Sequence, residues 1–230
     1  MRDVLVARGI EAEKVTVIPN WADGDAIRPV ARTENPLRRE WALDEKFVIG
    51  YSGNLGRVHE FDTVLRAMTE LREDDRKWFL FIGAGNQRQM VETECKVRGI
   101  TAVSFLPYQA REDLVWSLSV PDVHLVTLRP EMEGLVVPSK VYGIAAAGRP
   151  ILDIGALDGE IAQLIEKHNC GMSILPGDVS GLVSAITRLA GSDALRATMG
   201  GNARNALENY HEMRHGLQKW RYLLDTAAKQ

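Results

Sequence analysis

The sequence predicts an α/β fold, a parallel sheet with helices on both faces. Three observations predict it. From Phe47 onward, short apolar runs alternate with stretches of helical period, the pattern of strand-then-helix units, and at least six such units follow one another. Glycine or acidic residues mark most of the points where a run gives way to a helix. The chain has 230 residues, 45% hydrophobic and 26% charged, enough for one large domain or one domain with an appended segment. Right-handed crossovers between such units gather the loops at the carboxyl ends of the strands, a Rossmann-like arrangement.

Taken in order, residues 1–30 break the pattern. They offer a short helix, a lone strand Val15-Thr16-Val17-Ile18 and the turn Pro19-Asn20-Trp21-Ala22-Asp23, and they read as a linker or hinge cut from something larger. Residues 31–192 form the sheet domain. Its strands are expected at Phe47 to Ser52, Trp78 to Ile82, Val103 to Leu106, Val123 to Leu128, Pro150 to Ile154 and Met172 to Leu175. Helices are expected to start near His59, Gln87, Arg111, Ser139, Gly159 and Ser180. Residues 193–230 read as helical and close on an amphipathic helix with Trp220, Tyr222, Leu223 and Leu224. That helix either packs on its own domain or covers a second domain.

Composition excludes several classes. A net charge of −3 gives no basic field of the kind a nucleic-acid binder uses to neutralise phosphates. Cys95 and Cys170 lack metal-ligand spacing, and His168, His211 and His215 lie outside any HExxH pattern, so no metal is expected. Ser139 lacks the G-x-S-x-G context of a hydrolase nucleophile. No apolar run approaches the roughly 20 residues of a membrane span, and Met1-Arg2-Asp3 opens no signal peptide. The expected setting is cytoplasmic, peripheral at the inner membrane if the substrate is membrane-borne.

The chemistry collects at strand ends. In the tract Glu133 to Pro150 a polar turn joins a strand to a helix, and Ser139 and Lys140 fall at the helix start, where free N–H groups, a hydroxyl and an ammonium favour a diphosphate. After the first strand, Gly53, Asn54, Gly56 and Arg57 form a turn in which the glycines permit close backbone approach and Arg57 can fork onto phosphate oxygens. His59 is either a neighbour of the helix cap or a phosphate contact. Gly83 and Gly85 make a glycine turn that either lines a nucleotide pocket or is simply tight. Arg88 stands at the third glycine position of GxGxxG, which argues against NAD and reads as a solvated helix residue. Pro107 and Tyr108 could flank a nucleobase, or pack in the loop. Glu131 and Glu133 suit sugar hydroxyls. His124, inside a strand, reads as a buried, hydrogen-bonded histidine, and Asp158-Gly159-Glu160 as a helix cap.

In this order the motifs resemble the C-terminal half of a retaining family-4 glycosyltransferase of the GT-B fold, over nearly the whole chain. Val17-Ile18-Pro19-Asn20-Trp21-Ala22-Asp23 resembles that family's interdomain segment, Ser52-Gly53-Asn54-Leu55-Gly56-Arg57 its first donor-domain loop, Gly83-Ala84-Gly85 its second turn, and Glu133 to Pro150 its sugar-nucleotide signature. The resemblance implies a donor-binding domain, with the acceptor held by an N-terminal domain absent from this chain. A nucleotide-sugar, with UDP favoured, is the implied donor substrate, and no separate cofactor is expected. Gly53, Asn54 and Arg57 would face the diphosphate, Pro107 and Tyr108 the base, Glu133 and Gly134 the donor sugar, and Ser139 and Lys140 the phosphates, with Gly56, Gly83, Gly85, Glu131 and Leu135 completing the expected nucleotide-sugar site. Catalysis would rest on Glu133, Arg57 and Lys140, with transfer by retention to a glycan or lipid-linked acceptor in polysaccharide biosynthesis, the isolated domain being inactive. Gly143 stands where the family commonly has a second glutamate gripping the ribose, and Asn54 where many members carry an arginine. A non-catalytic nucleotide-binding module and a sugar-nucleotide epimerase are the alternatives.

Overall fold

The computed structural model describes residues 1–228; Lys229 and Gln230, at the end of the expected C-terminal helical stretch, lie outside the described residues. Six strands, β1 (Phe47–Ser52), β2 (Lys77–Ile82), β3 (Val103–Leu106), β4 (Val123–Thr127), β5 (Ile151–Ile154) and β6 (Gly171–Ile174), form one sheet in the order β3-β2-β1-β4-β5-β6. Every neighbouring pair is parallel. β1 pairs with β2 along its whole length but with β4 only at Ile49–Val123 and Gly50–His124. The strand order reverses at that short contact, so the crevice past the carboxyl ends of β1 and β4 is the switch point where such sheets take ligands.

The helices are α1 (Arg2–Ala7), α2 (Pro36–Glu40), α3 (Asp62–Leu71), α4 (Arg88–Val97), α5 (Leu114–Ser117), α6 (Lys140–Ala146), α7 (Glu160–His168), α8 (Val179–Ala190), α9 (Asp193–Ala206) and α10 (Met213–Ala227). They cover both faces because successive strand residues point to opposite sides. Ile49, Tyr51, Phe79, Phe81, Leu152 and Ile154 pack on Val64 and Met68 of α3, Val91 of α4 and Leu182 and Ile186 of α8. On the other side Val126 and Ile151 meet Val141 and Ile144 of α6, Ile161 and Ile165 of α7 and Ala203 of α9.

Two arginines fasten the ends of the chain to this frame. Arg38, 1% exposed, donates to the carbonyls of Val120 (2.6 Å), Leu43 (2.9 Å) and Lys46 (2.6 Å) and lies 3.3 Å from the Asp122 carboxylate, which also accepts the Val48 N–H. A buried pair of this kind holds only when the remaining donors find acceptors. Arg204 of α9 donates to the carbonyls of Gly24 (3.0 Å), Ile27 (2.9 Å) and Ala146 (2.9 Å), so the lead segment is laid against α6.

Three local expectations fail. Val15 to Ile18 forms no strand, and Val17 is exposed; the lead's one bridge among the described residues is Ala22 with Glu212. An extended run becomes a strand only beside an unpaired edge, and none lies along it. The helix after β1 starts at Asp62 rather than near His59, because the chain first closes a loop from Gly53 to Phe61. Near Arg111 there is a 3-10 turn, Arg111–Asp113, and then the single-turn α5. At the carboxyl end, a π-turn over Leu207–His211 separates α9 from α10, whose Leu217, Trp220, Tyr222 and Leu224 are exposed. No helix among the described residues is long and apolar enough to cross a membrane.

Candidate functional site

At the switch point lies a cleft of about 540 Å³. It is lined by Gly53, Asn54, Val58 and His59 of the loop after β1, Ser139, Lys140 and Gly143 at the start of α6, Arg111, Leu114 and Leu118 around α5, and Trp21, Ala22 and Asp23 of the lead.

The loop after β1 is shaped by backbone. Gly53 has φ +131 and Gly83 φ +136, and the two turns are bonded directly, Gly53 N–H to Ile82 O and Leu55 N–H to Ala84 O, both 2.8 Å. A Cβ on Gly83 would run into the Gly53 carbonyl oxygen, and one on Gly85 would come within 2.5 Å of the Leu55 carbonyl oxygen. Gly83 and Gly85 let one turn lie on the other, and neither lines the cleft. Arg88 is not the solvated residue expected from its position. Its guanidinium donates to the carbonyls of Gly83 (2.7 Å) and Leu106 (3.2 Å) and pairs with Glu92, clamping the turn from behind.

Lys140 is the first residue of α6, and its side chain folds inward. The Nζ sits 3.5 Å from the centre of the Tyr51 ring, is enclosed, and has no hydrogen-bond partner among the described residues. Burial drives its pKa well below the usual lysine range. Ser52 Oγ and Thr127 Oγ1 are likewise enclosed and unpartnered. His59 Nδ1 lies 2.5 Å from the Thr127 carbonyl oxygen, which requires the proton on that nitrogen; burial first, and Lys140 second, push its pKa down to about 4. Ser139, at the helix cap, makes no side-chain capping bond. Few buried polar groups in a folded protein lack partners, and an enclosed amine without one at the edge of a cleft marks a place where something else supplies it.

The remaining expected residues are dispersed. Arg57 is exposed and lies outside the cleft lining. The loop that turns His59 inward at Thr127 turns Arg57 outward. Gly56 packs on the Asn54 amide, 2.8 Å from where its Cβ would be. Pro107 is exposed, and Tyr108, 57% exposed, rests its ring edge against Gly83 with its hydroxyl 3.4 Å from Ala84 O. Glu131 lines a second cavity of about 530 Å³ with Glu60, Arg98 and Arg129. Glu133 reaches α7, where its carboxylate accepts the Glu160 N–H at 3.5 Å and covers Gly159. The cap expected from Asp158 and Glu160 therefore comes from Glu133, whose pKa burial raises. Asp153, 2% exposed at the end of β5, is pushed up to about 7 by burial and then by Glu133. Gly134, φ +74, faces Val4 of α1, and Leu135 is exposed. His124 is buried as expected, with Nε2 2.9 Å from Leu118 O and its pKa lowered to about 4 by burial.

Sequence reasoning missed Arg111, Leu114 and Leu118, which come from a short turn and a single-turn helix with no motif, and left His59 undecided. A signal for Gly143 did exist, since a glycine in a helix that other residues would favour invites a packing or ligand reason. Its Cβ would stand 3.3 Å from Leu118 Cδ1, so that part of the cleft is apolar apart from Arg111.

A sequence model of the family described as glycosyl transferases group 1 matches residues 34–206. A protein of Escherichia coli named for colanic acid biosynthesis glycosyl transfer, WcaI, is 30% identical over 189 residues, which is 81% of this chain and 46% of that protein. The Pseudomonas aeruginosa protein named as glycosyltransferase WbjE is 32% identical over 229 residues, 92% of this chain and 54% of its own length. The chain thus spans about half the length of the curated relatives it matches. Among solved structures, Anabaena HepE in complex with UDP and glucose superposes on the whole chain and 61% of its own with a TM-score of 0.82 at 17% identity. The C-terminal domain of the group 1 family protein LpcC from Francisella tularensis covers 84% of this chain and 99% of its own, TM-score 0.68, at 15% identity. The parallel sheet with helices on both faces is therefore the half-fold expected of a GT-B protein, and the family match over most of the chain places it among the group 1 glycosyl transferases.

Proposed function

We propose that this chain is the donor-binding half of a glycosyltransferase that moves a sugar from a nucleoside diphosphate, UDP being favoured, to a glycan or lipid-linked acceptor with retention. One observation carries the reading: an enclosed, unpartnered lysine amine at the sheet's switch point, between a glycine turn and an open helix cap. In this reading Lys140 and Ser139 hold the diphosphate and Asn54 borders it, while Pro107, Tyr108 and Glu133, expected at the base and the sugar, lie outside the cleft lining. Once charged in the complex, the Lys140 amine stabilises the negative charge that develops on the departing nucleoside diphosphate, where a positioned cation in a dry site counts most. The donor itself is the co-substrate, and no further cofactor has a role. HepE, with UDP and glucose bound, supports UDP, and WcaI, named for colanic acid biosynthesis, supports a polysaccharide product. Residues 1–30 would act as the hinge to an acceptor domain, and the exposed apolar side of α10 would face it.

Calorimetric titration with UDP, GDP, ADP and NAD tests this. One nucleoside diphosphate binds saturably, and Lys140→Ala weakens it about ten- to hundredfold, the loss of a charge-assisted hydrogen bond. Arg57→Ala leaves it within about twofold, because an exposed charge contributes little. The reading fails if no nucleoside diphosphate binds, or if Arg57 and not Lys140 controls affinity.

A further inference from the structure

The amine of Lys140 is set to change its charge when an anion arrives. It faces the Tyr51 ring of β1 and Gly53 and His59 of the loop that follows, with His124 of β4 further off and Asp23 and Arg111 lining the same cleft. Both histidines are neutral near pH 7 and burial pushes the Tyr51 phenol far up, so none of the groups packed on the amine supplies a negative charge, and burial sets its state. The face of the Tyr51 ring favours an ammonium, but it returns only part of what enclosing an unpaired charge costs. The stable empty state is a neutral amine with a free lone pair beside the cleft. A diphosphate at Gly53 and Ser139 would reverse that balance, because two anionic oxygens next to the nitrogen favour its charged form.

We propose that binding of a diphosphate draws one proton from solvent onto Lys140, so that this amine is neutral when the cleft is empty and cationic only when it is filled. The proton is taken up by the Nζ lone pair, and no covalent bond to the ligand forms or breaks. This rests on the donor-site reading above. The consequence is that Lys140 adds no standing positive charge to the one Arg111 already brings to the cleft, and that the grip on the nucleotide loosens as pH rises. The sign follows from linkage: over the pH range between the empty and filled states' titrations the complex holds one more proton, so affinity falls with increasing pH.

The test is calorimetry with UDP-glucose, or with GDP-mannose or ADP-glucose if one of those binds instead, each with an internal diphosphate that has no exchangeable proton near neutrality, in pairs of buffers of different ionisation enthalpy between about pH 6 and pH 10. Proton uptake rises from near zero at the acid end toward one, and affinity falls by up to about tenfold per pH unit over the same range. Lys140→Arg, whose guanidinium stays charged, binds with a heat that does not depend on the buffer. Sugar-nucleotide binding by the wild-type protein with no buffer dependence at any pH overturns the proposal and leaves the donor-site reading intact. Absence of binding at every pH by UDP-glucose, GDP-mannose and ADP-glucose alike overturns both. The wild-type heats decide alone, so the outcome stands even if the Arg variant does not fold.

Discussion

Replacing Lys140 with methionine should make the empty protein more stable. The two side chains are close in length and volume, so the change opens no cavity, and the thioether keeps contact with the Tyr51 ring 3.5 Å below the present nitrogen. What disappears is an enclosed amine without a hydrogen-bond partner. A buried polar group in that condition costs about 1–3 kcal/mol. A gain of about 2 kcal/mol corresponds to a rise in melting temperature of about 4–8 °C for a chain of 230 residues. The gain also depends on pH. In the folded wild type burial holds the lysine pKa low, whereas unfolded it titrates near 10.4. Between those values the unfolded chain binds more protons, so wild-type stability climbs with pH, and the methionine variant lacks that slope. Thermal melts followed by circular dichroism should show the variant ahead at about pH 7 and the gap narrowing toward about pH 10. A variant that melts below wild type at neutral pH, or a gap that does not move with pH, would refute the reasoning.

Three other substitutions probe the frame around the cleft. Gly83→Ala combines a φ of +136 with a collision against the Gly53 carbonyl, and should lower the urea-unfolding free energy by more than about 2 kcal/mol; Gly99→Ala, at φ +65 with open space around it, should cost only about 1 kcal/mol, and equal costs would show that the contact between turns carries nothing. Asp153→Asn removes a carboxyl whose pKa is raised to about 7, so the folded state keeps its proton where the unfolded state has lost it. The stability this group provides is fully present below about pH 4 and drains away as pH rises toward 7, on the order of 4 kcal/mol in all. Urea titrations from about pH 4 to 8 should find that slope in the wild type and a flatter line in the variant.

The sheet was legible because both its faces are covered. Strands buried on two sides must be continuous apolar runs, and Phe47 to Ser52 or Val123 to Thr127 cannot be read otherwise. Val15 to Ile18 has the same composition, but pairing depends on a free edge, which composition does not encode. Within the site, Ser139 and Lys140 were legible from their place at a strand-to-helix turn. Nothing local distinguishes the outward Arg57 from the inward Lys140, since both are cations beside strand-to-helix turns. Direction is decided by how the β1 loop is folded back by His59 on Thr127 and Leu55 on Ala84. Arg88 escapes a local reading for a related reason: its acceptors, the carbonyls of Gly83 and Leu106, come together only once β2 and β3 lie side by side. Arg111 and Leu118 needed the packing of α5 and its flanks against α6, which short helices without motifs do not announce.

The grip of Arg204 on the lead segment also sets a time. Its acceptor Gly24 lies 180 residues earlier in the chain, and Trp21 to Asp23, which line the cleft, are held as well by the bonds of Ala22 to His211 and Met213, so they find their place only after α9 and the turn beyond it are made. At about 5–20 residues per second, a ribosome needs roughly 10–40 s to synthesise the intervening stretch. During that interval β1, β4 and Lys140 can already be assembled while the cleft stands open on one side. A nascent chain would therefore acquire its fold well before it acquires a closed ligand site, and tight nucleotide binding would mark completion of synthesis past α9.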